Sequence, residues 1–199
     1  MKLCPTINKG NQEWRFLGIF AKNREEWMIA SYGAMSQGIT IVPPFESLGP
    51  DAIAFILNQT DLYTICIDKK HLKTMMTLKS SGKCPSLCNI ISFDPVSEED
   101  FTLAQEAGLE LHTYDEVMDA GKLVERIDML YEPKPEDIYM FCYTSGTTGD
   151  PKAAMISHRA MIAAMSQKNY IEENNCHSNY ECGPGDVAFS YLPMAHIYE

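Results

Sequence analysis

Between Phe141 and Lys152 the sequence reads Phe-Cys-Tyr-Thr-Ser-Gly-Thr-Thr-Gly-Asp-Pro-Lys. Four hydroxyl side chains (Thr144, Ser145, Thr147, Thr148) and two glycines (Gly146, Gly149) fall within six residues, and Pro151 and Lys152 close the stretch. Such a segment has too little apolar surface to build a core, and its glycines permit backbone angles that other residues resist. It can curl backbone N–H groups around an anion, add hydroxyl donors and set a fixed positive charge beside them. That is the chemistry of a phosphate-binding loop. A Walker A loop needs Gly-Lys-Ser/Thr, whereas here Lys152 follows Pro151 and Ala153 stands where the magnesium-binding hydroxyl would be. The three-glycine spacing of a dinucleotide fingerprint is also absent.

The loop must be carried by something rigid. Ile138 to Tyr143 reads as a short buried strand leading into it, after the polar, proline-punctuated connector Glu132–Asp137. Ala153 to Ile156 reads as a return strand. Ser157 then caps a helix from Arg159 to about Tyr170, whose apolar residues Ala160 to Met165 predict burial nearly all round. Residues 172–185 read as a polar loop, and Val187 to Leu192 as a strand ending at Pro193.

Upstream, strands and helices alternate. Arg15 to Ala21 predicts a strand, and Asn23 with Glu26 a capping box for a helix that carries Trp27, Ala30, Ala34 and Met35 and stops at Gly38. Thr40 to Val42 is a strand broken by Pro43-Pro44, and Pro50 opens a helix bearing Ile53, Phe55, Ile56 and Leu57. Further strands are expected at Leu62–Ile67 and Asn89–Phe93, and helices at His71–Leu78 and Asp115–Lys122. The acidic, poorly periodic stretch Asp94–Leu109 reads as a surface excursion. Repeated strand–helix units predict an α/β fold, a parallel-rich sheet with helices on both faces.

Of 199 residues, 45% are hydrophobic and 22% charged, and the net charge is −11. That balance argues against nucleic acid and against strong attachment to anionic lipid. Seven scattered cysteines fit free thiols in a reducing compartment, and no apolar run approaches the ~20 residues of a membrane span. The amino terminus lacks a continuous apolar signal core, so a soluble, cytosol-facing protein is expected. Cys84 with Cys88, and Cys176 with His177 and Cys182, offer no second half at a zinc spacing, so no metal site is expected. Lys152, read alone, could be a solvated surface lysine; beside the hydroxyl–glycine loop, phosphate contact is the better reading.

Residues 143–152 resemble the Tyr-Thr-Ser-Gly-Thr-Thr-Gly-x-Pro-Lys-Gly signature of the adenylate-forming enzymes, departing only at Ala153. Tyr191-Leu192-Pro193-Met194-Ala195-His196-Ile197-Tyr198-Glu199 is similar to a segment of the long-chain fatty acyl-CoA synthetases. So are Gly18-Ile19-Phe20 with Asn23-Arg24-Glu25-Glu26-Trp27, and Gly38 to Pro43. The resemblance implies a long-chain fatty acid–CoA ligase: a carboxylate attacks the α-phosphorus of ATP, and coenzyme A then displaces AMP. Thr144, Ser145, Gly146, Thr147, Thr148, Gly149 and Lys152 would bind the nucleotide phosphates, with Mg²⁺ helping to neutralise them. His196 would line the cavity where the acyl carboxylate meets the nucleotide. No residue is expected to act as an acid–base catalyst.

It also implies that residues 1–199 are part of the large amino-terminal adenylation domain, without the carboxy-terminal domain, and inactive alone. By the same resemblance the parent enzyme would be cytoplasmic, with peripheral contact to the endoplasmic reticulum membrane through its other parts. Two alternatives stay open: a non-catalytic ATP-binding remnant, or a ligase for an acid that is not long-chain.

Overall fold

The structure, a computed structural model, describes residues 3–124, 131–144 and 151–173, then 185, 187 and 189–196, with the backbone alone at 167–173. A small antiparallel hairpin opens the chain: β1 (Ile7–Lys9) pairs with β2 (Gln12–Trp14), Ile7 opposite Trp14. Gly10 and Asn11 both adopt left-handed backbone angles (φ 60° and 62°), which suits a two-residue hairpin turn.

A seven-stranded sheet follows, ordered β7-β6-β5-β3-β4-β8-β9. Its strands are β3 (Phe16–Phe20), β4 (Thr40–Val42), β5 (Thr64–Ile67), β6 (Asn89–Ser92), β7 (Glu110–Thr113), β8 (Ile138–Thr144) and β9 (Lys152–Ser157). Every pairing is parallel except β8 with β9. The chain steps from β3 to β4 on one side, then crosses back to β5 on the other and continues outward. With right-handed crossovers, this reversal sends helices to opposite faces.

Side chains alternate along the strands as the two-residue period requires. Phe16, Phe20, Val42, Ile65, Ile67, Ile90 and Tyr143 face one core with α2 (Pro50–Gln59), α3 (Leu72–Ser80) and α4 (Glu98–Glu106). Leu17, Ile19, Ile41, Cys66, Ile91, Met140 and Cys142 face the other, with α1 (Glu25–Met35) and α5 (Tyr114–Lys122). The α/β class and the parallel-rich sheet with helices on both faces are as the sequence predicts.

Gly18 sits in the centre of β3 because nothing larger fits. A Cβ there would lie 2.6 Å from Leu62 Cδ2 and 2.7 Å from Ile65 Cγ1. Gly18→Ala is therefore expected to cost about 1–3 kcal/mol, read as a lower urea midpoint with an unchanged m-value.

Four local expectations need correction. Asn23 does not cap α1. Arg24 is the N-cap and makes no capping bond, while the Glu26 carboxylate accepts from the Arg24 guanidinium at 2.7 and 3.0 Å. A distant segment has taken the Asn23 side chain, and neighbouring Arg24 has taken that of Glu26. The stretch read as a surface excursion contains α4, started by a capping box between Ser97 and Asp100; only Ala104 of that helix is buried, so its apolar signal was weak.

Helix α6 (His158–Glu173) is not buried: Met165 is 72% exposed, and Ile162 is exposed as well. It packs beyond the edge strand β9, and an apolar helix is buried only where elements surround it. Finally, the described residues of 187–192 form no strand, and Val187 and Phe189 stand 93% and 87% exposed. A strand needs a neighbour to exchange backbone bonds, and this segment is held by a side chain instead.

Candidate functional site

The site is assembled at the carboxyl ends of the parallel strands, where the strand order reverses. Ligands of open α/β sheets bind at that position, because the crossovers diverge there and leave a crevice. β8 ends at it with Thr144. Tyr143, 1% exposed, donates from its hydroxyl to Gln59 Oε1 at 2.7 Å, and burial pushes its phenol well above the ordinary value. This bond ties the end of β8 to the end of α2.

The next residue, Thr144, is exposed and pairs in register with Lys152, the first residue of β9. Its hydroxyl donates to the Lys152 carbonyl at 3.4 Å. The antiparallel pair thus fixes both ends of the segment between them, Thr144 and Lys152. Ser145, Gly146, Thr147, Thr148 and Gly149 lie outside the described residues.

His196 reaches the same end of the sheet by another route. Phe45 follows β4 and Pro43-Pro44, and its ring lies 5.0 Å from that of His196, centroid to centroid. The His196 amide donates to the Pro193 carbonyl at 2.7 Å. Neighbouring Ala195 is buried, and its carbonyl accepts from the Cys142 thiol of β8 at 3.8 Å. His196 is therefore linked to β8 through Ala195, two residues upstream of Thr144. A cavity of about 440 Å³ lies beside this segment, lined among others by Asn23, Phe45, Tyr191 and Ala195.

Sequence reasoning missed the part of Asn23. Its Nδ2 donates to the Leu192 carbonyl at 2.6 Å and to Ser190 Oγ at 2.9 Å, and its Oδ1 accepts from the Met194 amide at 2.8 Å. The residue was visible as a capping candidate; nothing local signalled a partner more than 160 positions away.

A second polar cluster stitches the ends of β3, β5 and β6. The Arg24 guanidinium donates to Glu26, to Asp68 Oδ1 at 2.9 Å and to Asp94 Oδ1 at 2.8 Å, and lies 5.4 Å from the centre of the Phe93 ring. The Arg24 bond holds the Glu26 carboxyl below its ordinary range. Asp94, which burial alone would raise, is also held low by Arg24 and by the Lys69 amide.

A carboxyl whose pKa is depressed by folding stabilises the protein above its unfolded pKa and loses that contribution as pH falls. Stability is therefore expected to fall as pH drops below the ordinary carboxylate range of about 4. Asp100, held at about 2 by Lys69 and by Ser97 of the α4 cap, extends the loss to the lowest pH. Thermal midpoints measured between pH 7 and pH 2 check the sign; Arg24→Met should flatten the profile.

Beside this cluster, Glu46, Asp68 and His71 bring three potential ligand atoms within 4.8 Å of one another. The Lys70 ammonium is already paired with Glu46 and lies 3.6 Å from Asp68, so a cation there would meet a positive charge in place. Cys84 is buried, burial raises its thiol, and the Cys88 thiol donates to the Ser86 carbonyl at 3.5 Å. Cys176, His177 and Cys182 fall outside the described residues.

Known proteins resemble this chain in sequence and in fold. Residues 7–199 match the model of the AMP-binding enzyme family. Long-chain-fatty-acid–CoA ligase 6 of Rattus norvegicus is 33% identical over 187 residues, 93% of this chain and 26% of that protein. Long-chain-fatty-acid–CoA ligase 1 of Homo sapiens is 34% identical over 186 residues, again 93% and 26%. The chain thus spans about a quarter of the length of these relatives.

Among solved structures, the A domain of carboxylic acid reductase from Segniliparus rugosus, in complex with AMP and a co-purified carboxylic acid, superposes with a TM-score of 0.68. It is 20% identical and covers 92% of this chain and 30% of that one, which shows a shared fold. With the family model covering nearly all of its length, the chain belongs to the AMP-binding enzyme family.

Proposed function

We propose that this chain is the nucleotide-phosphate and carboxylate-binding portion of an ATP-dependent long-chain fatty acid–CoA ligase. The observation that carries the proposal is the register of β8 against β9. Thr144 opposite Lys152 puts two exposed residues, one bearing a hydroxyl and one an ammonium, at the two ends of the intervening segment, at the carboxyl end of the sheet. An exposed lysine and an exposed threonine flanking a hydroxyl–glycine segment suit an anion, and the triphosphate of ATP is the anion the family uses.

In this proposal the backbone and hydroxyls of Thr144, Ser145, Gly146, Thr147, Thr148 and Gly149 donate to the β- and γ-phosphates. Lys152 supplies charge as pyrophosphate departs. His196, seated on Phe45, contacts the acid near its carboxylate and orients it towards the α-phosphorus. The products of the first step are acyl-adenylate and pyrophosphate; the coenzyme A thiol then forms the thioester and AMP leaves. Mg²⁺, when bound with the nucleotide, would supply charge neutralisation, and no residue of this chain is assigned to hold it.

Relatives named as long-chain ligases support the acid class, and a neighbour holding AMP with a carboxylic acid supports acid activation. No helix among the described residues is long and apolar enough to cross a membrane. A cytoplasmic enzyme with peripheral membrane contact through other parts fits that observation.

The test is thioester formation from palmitate, ATP and coenzyme A. The full-length protein is expected to form palmitoyl-CoA and AMP, and the 199-residue chain to form neither. ATP binding without AMP formation from any acid would favour a non-catalytic remnant. AMP formation with short, aromatic or amino acids but not palmitate would move the substrate class.

A further inference from the structure

Asn23 follows β3 at the switch point and precedes α1, yet caps no helix. Its amide spends both polar atoms on the segment leading to His196: Nδ2 donates to the Leu192 carbonyl at 2.6 Å, and Oδ1 accepts from the Met194 amide at 2.8 Å. A strand residue addresses a parallel neighbour in the same way, bonding the carbonyl and the N–H on either side of one position. The Asn23 side chain therefore replaces a strand for a segment that forms none.

Beyond Met194 the chain has little slack before the site. The Pro193 carbonyl accepts from the His196 amide at 2.7 Å, and Ala195 is buried against Cys142. Fixing Leu192 and Met194 consequently fixes where the His196 ring meets Phe45.

We propose that Asn23 is a positioning residue for the reaction. Its planar amide, which offers one donor and one acceptor together, holds residues 192–194 so that His196 meets the fatty-acid carboxylate. The proposal rests on the reading of His196 as a substrate contact. Residue chemistry makes it specific. Aspartate keeps the acceptor for Met194 but turns a carboxylate oxygen to the Leu192 carbonyl, and alanine offers neither bond.

The experiment compares wild type, Asn23→Ala and Asn23→Asp in the full-length protein, with palmitate as the acid. A 1 Å misplacement of a reacting group can cost about 10²-fold. Both variants are accordingly expected to lower kcat/KM for palmitate by about 10- to 100-fold, mainly through KM for the acid. KM for ATP, set by Lys152 and its loop, should stay within about twofold. In ¹³C-histidine-labelled protein, the His196 ring resonances of Asn23→Ala should shift as the Phe45 contact is lost, with the circular dichroism spectrum unchanged.

Equal losses towards palmitate and ATP, or unchanged palmitate kinetics, would overturn the proposal. Should wild type form no adenylate from palmitate, the proposed function fails, and the ring resonances still decide this point. Unmoved His196 signals in Asn23→Ala would show that the side chain positions nothing.

Discussion

Lys152→Ala in the full-length protein is expected to lower kcat/KM for ATP in palmitate adenylation by about 10²- to 10³-fold, with the fold unchanged. The magnitude is that of removing one preorganised charge or donor from a site where negative charge develops. Lys152 is exposed at the start of β9, so its side chain supports no core, and the Thr144 hydroxyl bonds to its backbone carbonyl, which alanine retains. The variant should therefore melt within a degree or two of wild type. Lys152→Arg keeps the charge but replaces a compact ammonium by a planar fork, and is expected to recover part of the loss. A loss of activity accompanied by a large fall in melting midpoint would place Lys152 in the scaffold instead.

The largest effect on stability is expected at Trp27. Its indole is 2% exposed and packs in the core that contains Leu17, Ile19, Ile41 and Met140, pinning α1 to the sheet. Trp27→Ala should cost about 3–5 kcal/mol, through lost burial and the cavity left behind. Against a total of about 5–15 kcal/mol, that is a large fraction of the protein's stability. Trp27 Nε1 has no hydrogen-bond partner among the described residues. Removing that N–H forfeits no bond, and Trp27→Phe should cost clearly less than the alanine change. Denaturant unfolding of the two variants checks the ordering; equal costs would mean that the indole N–H is satisfied and contributes. Because α1 begins just after Asn23 and Arg24, the same packing holds the switch-point residues in place.

The stretch 143–152 stood out because its residue types fit no bland purpose: hydroxyls and glycines cannot build a core, and a lysine after a proline cannot continue a helix; of its proposed phosphate-binding residues, Ser145 to Gly149 lie outside the described residues. The parallel sheet was legible where a strand is a short apolar run buried on both faces between turn formers, as at Phe16–Phe20 and Thr64–Ile67, whereas β7 (Glu-Leu-His-Thr), half-covered at the sheet edge, went unread. Caps were half legible. Pro50 announced α2, but the boxes at Ser97–Asp100 and Thr113–Glu116 went unread while a false one was drawn at Asn23. The local pattern is the same in all three cases. What differs is the competitor: the distant backbone of 190–194 for Asn23, and for Glu26 its near neighbour Arg24. The Gly10-Asn11 turn carried a hairpin signal that the polar amino-terminal stretch concealed. Helix α6 was misread because composition reports what a helix could bury, whereas exposure depends on what surrounds it.

The central claim is that Lys152 and the segment it closes hold the triphosphate of ATP. Residue-resolved acetylation of lysines, with and without saturating ATP and Mg²⁺, tests this without relying on turnover. Protection of Lys152, with Lys83 and Lys122 on the remote surface labelled at unchanged rates, is the predicted result. Labelling of Lys152 at the same rate with bound ATP as without it would contradict the account.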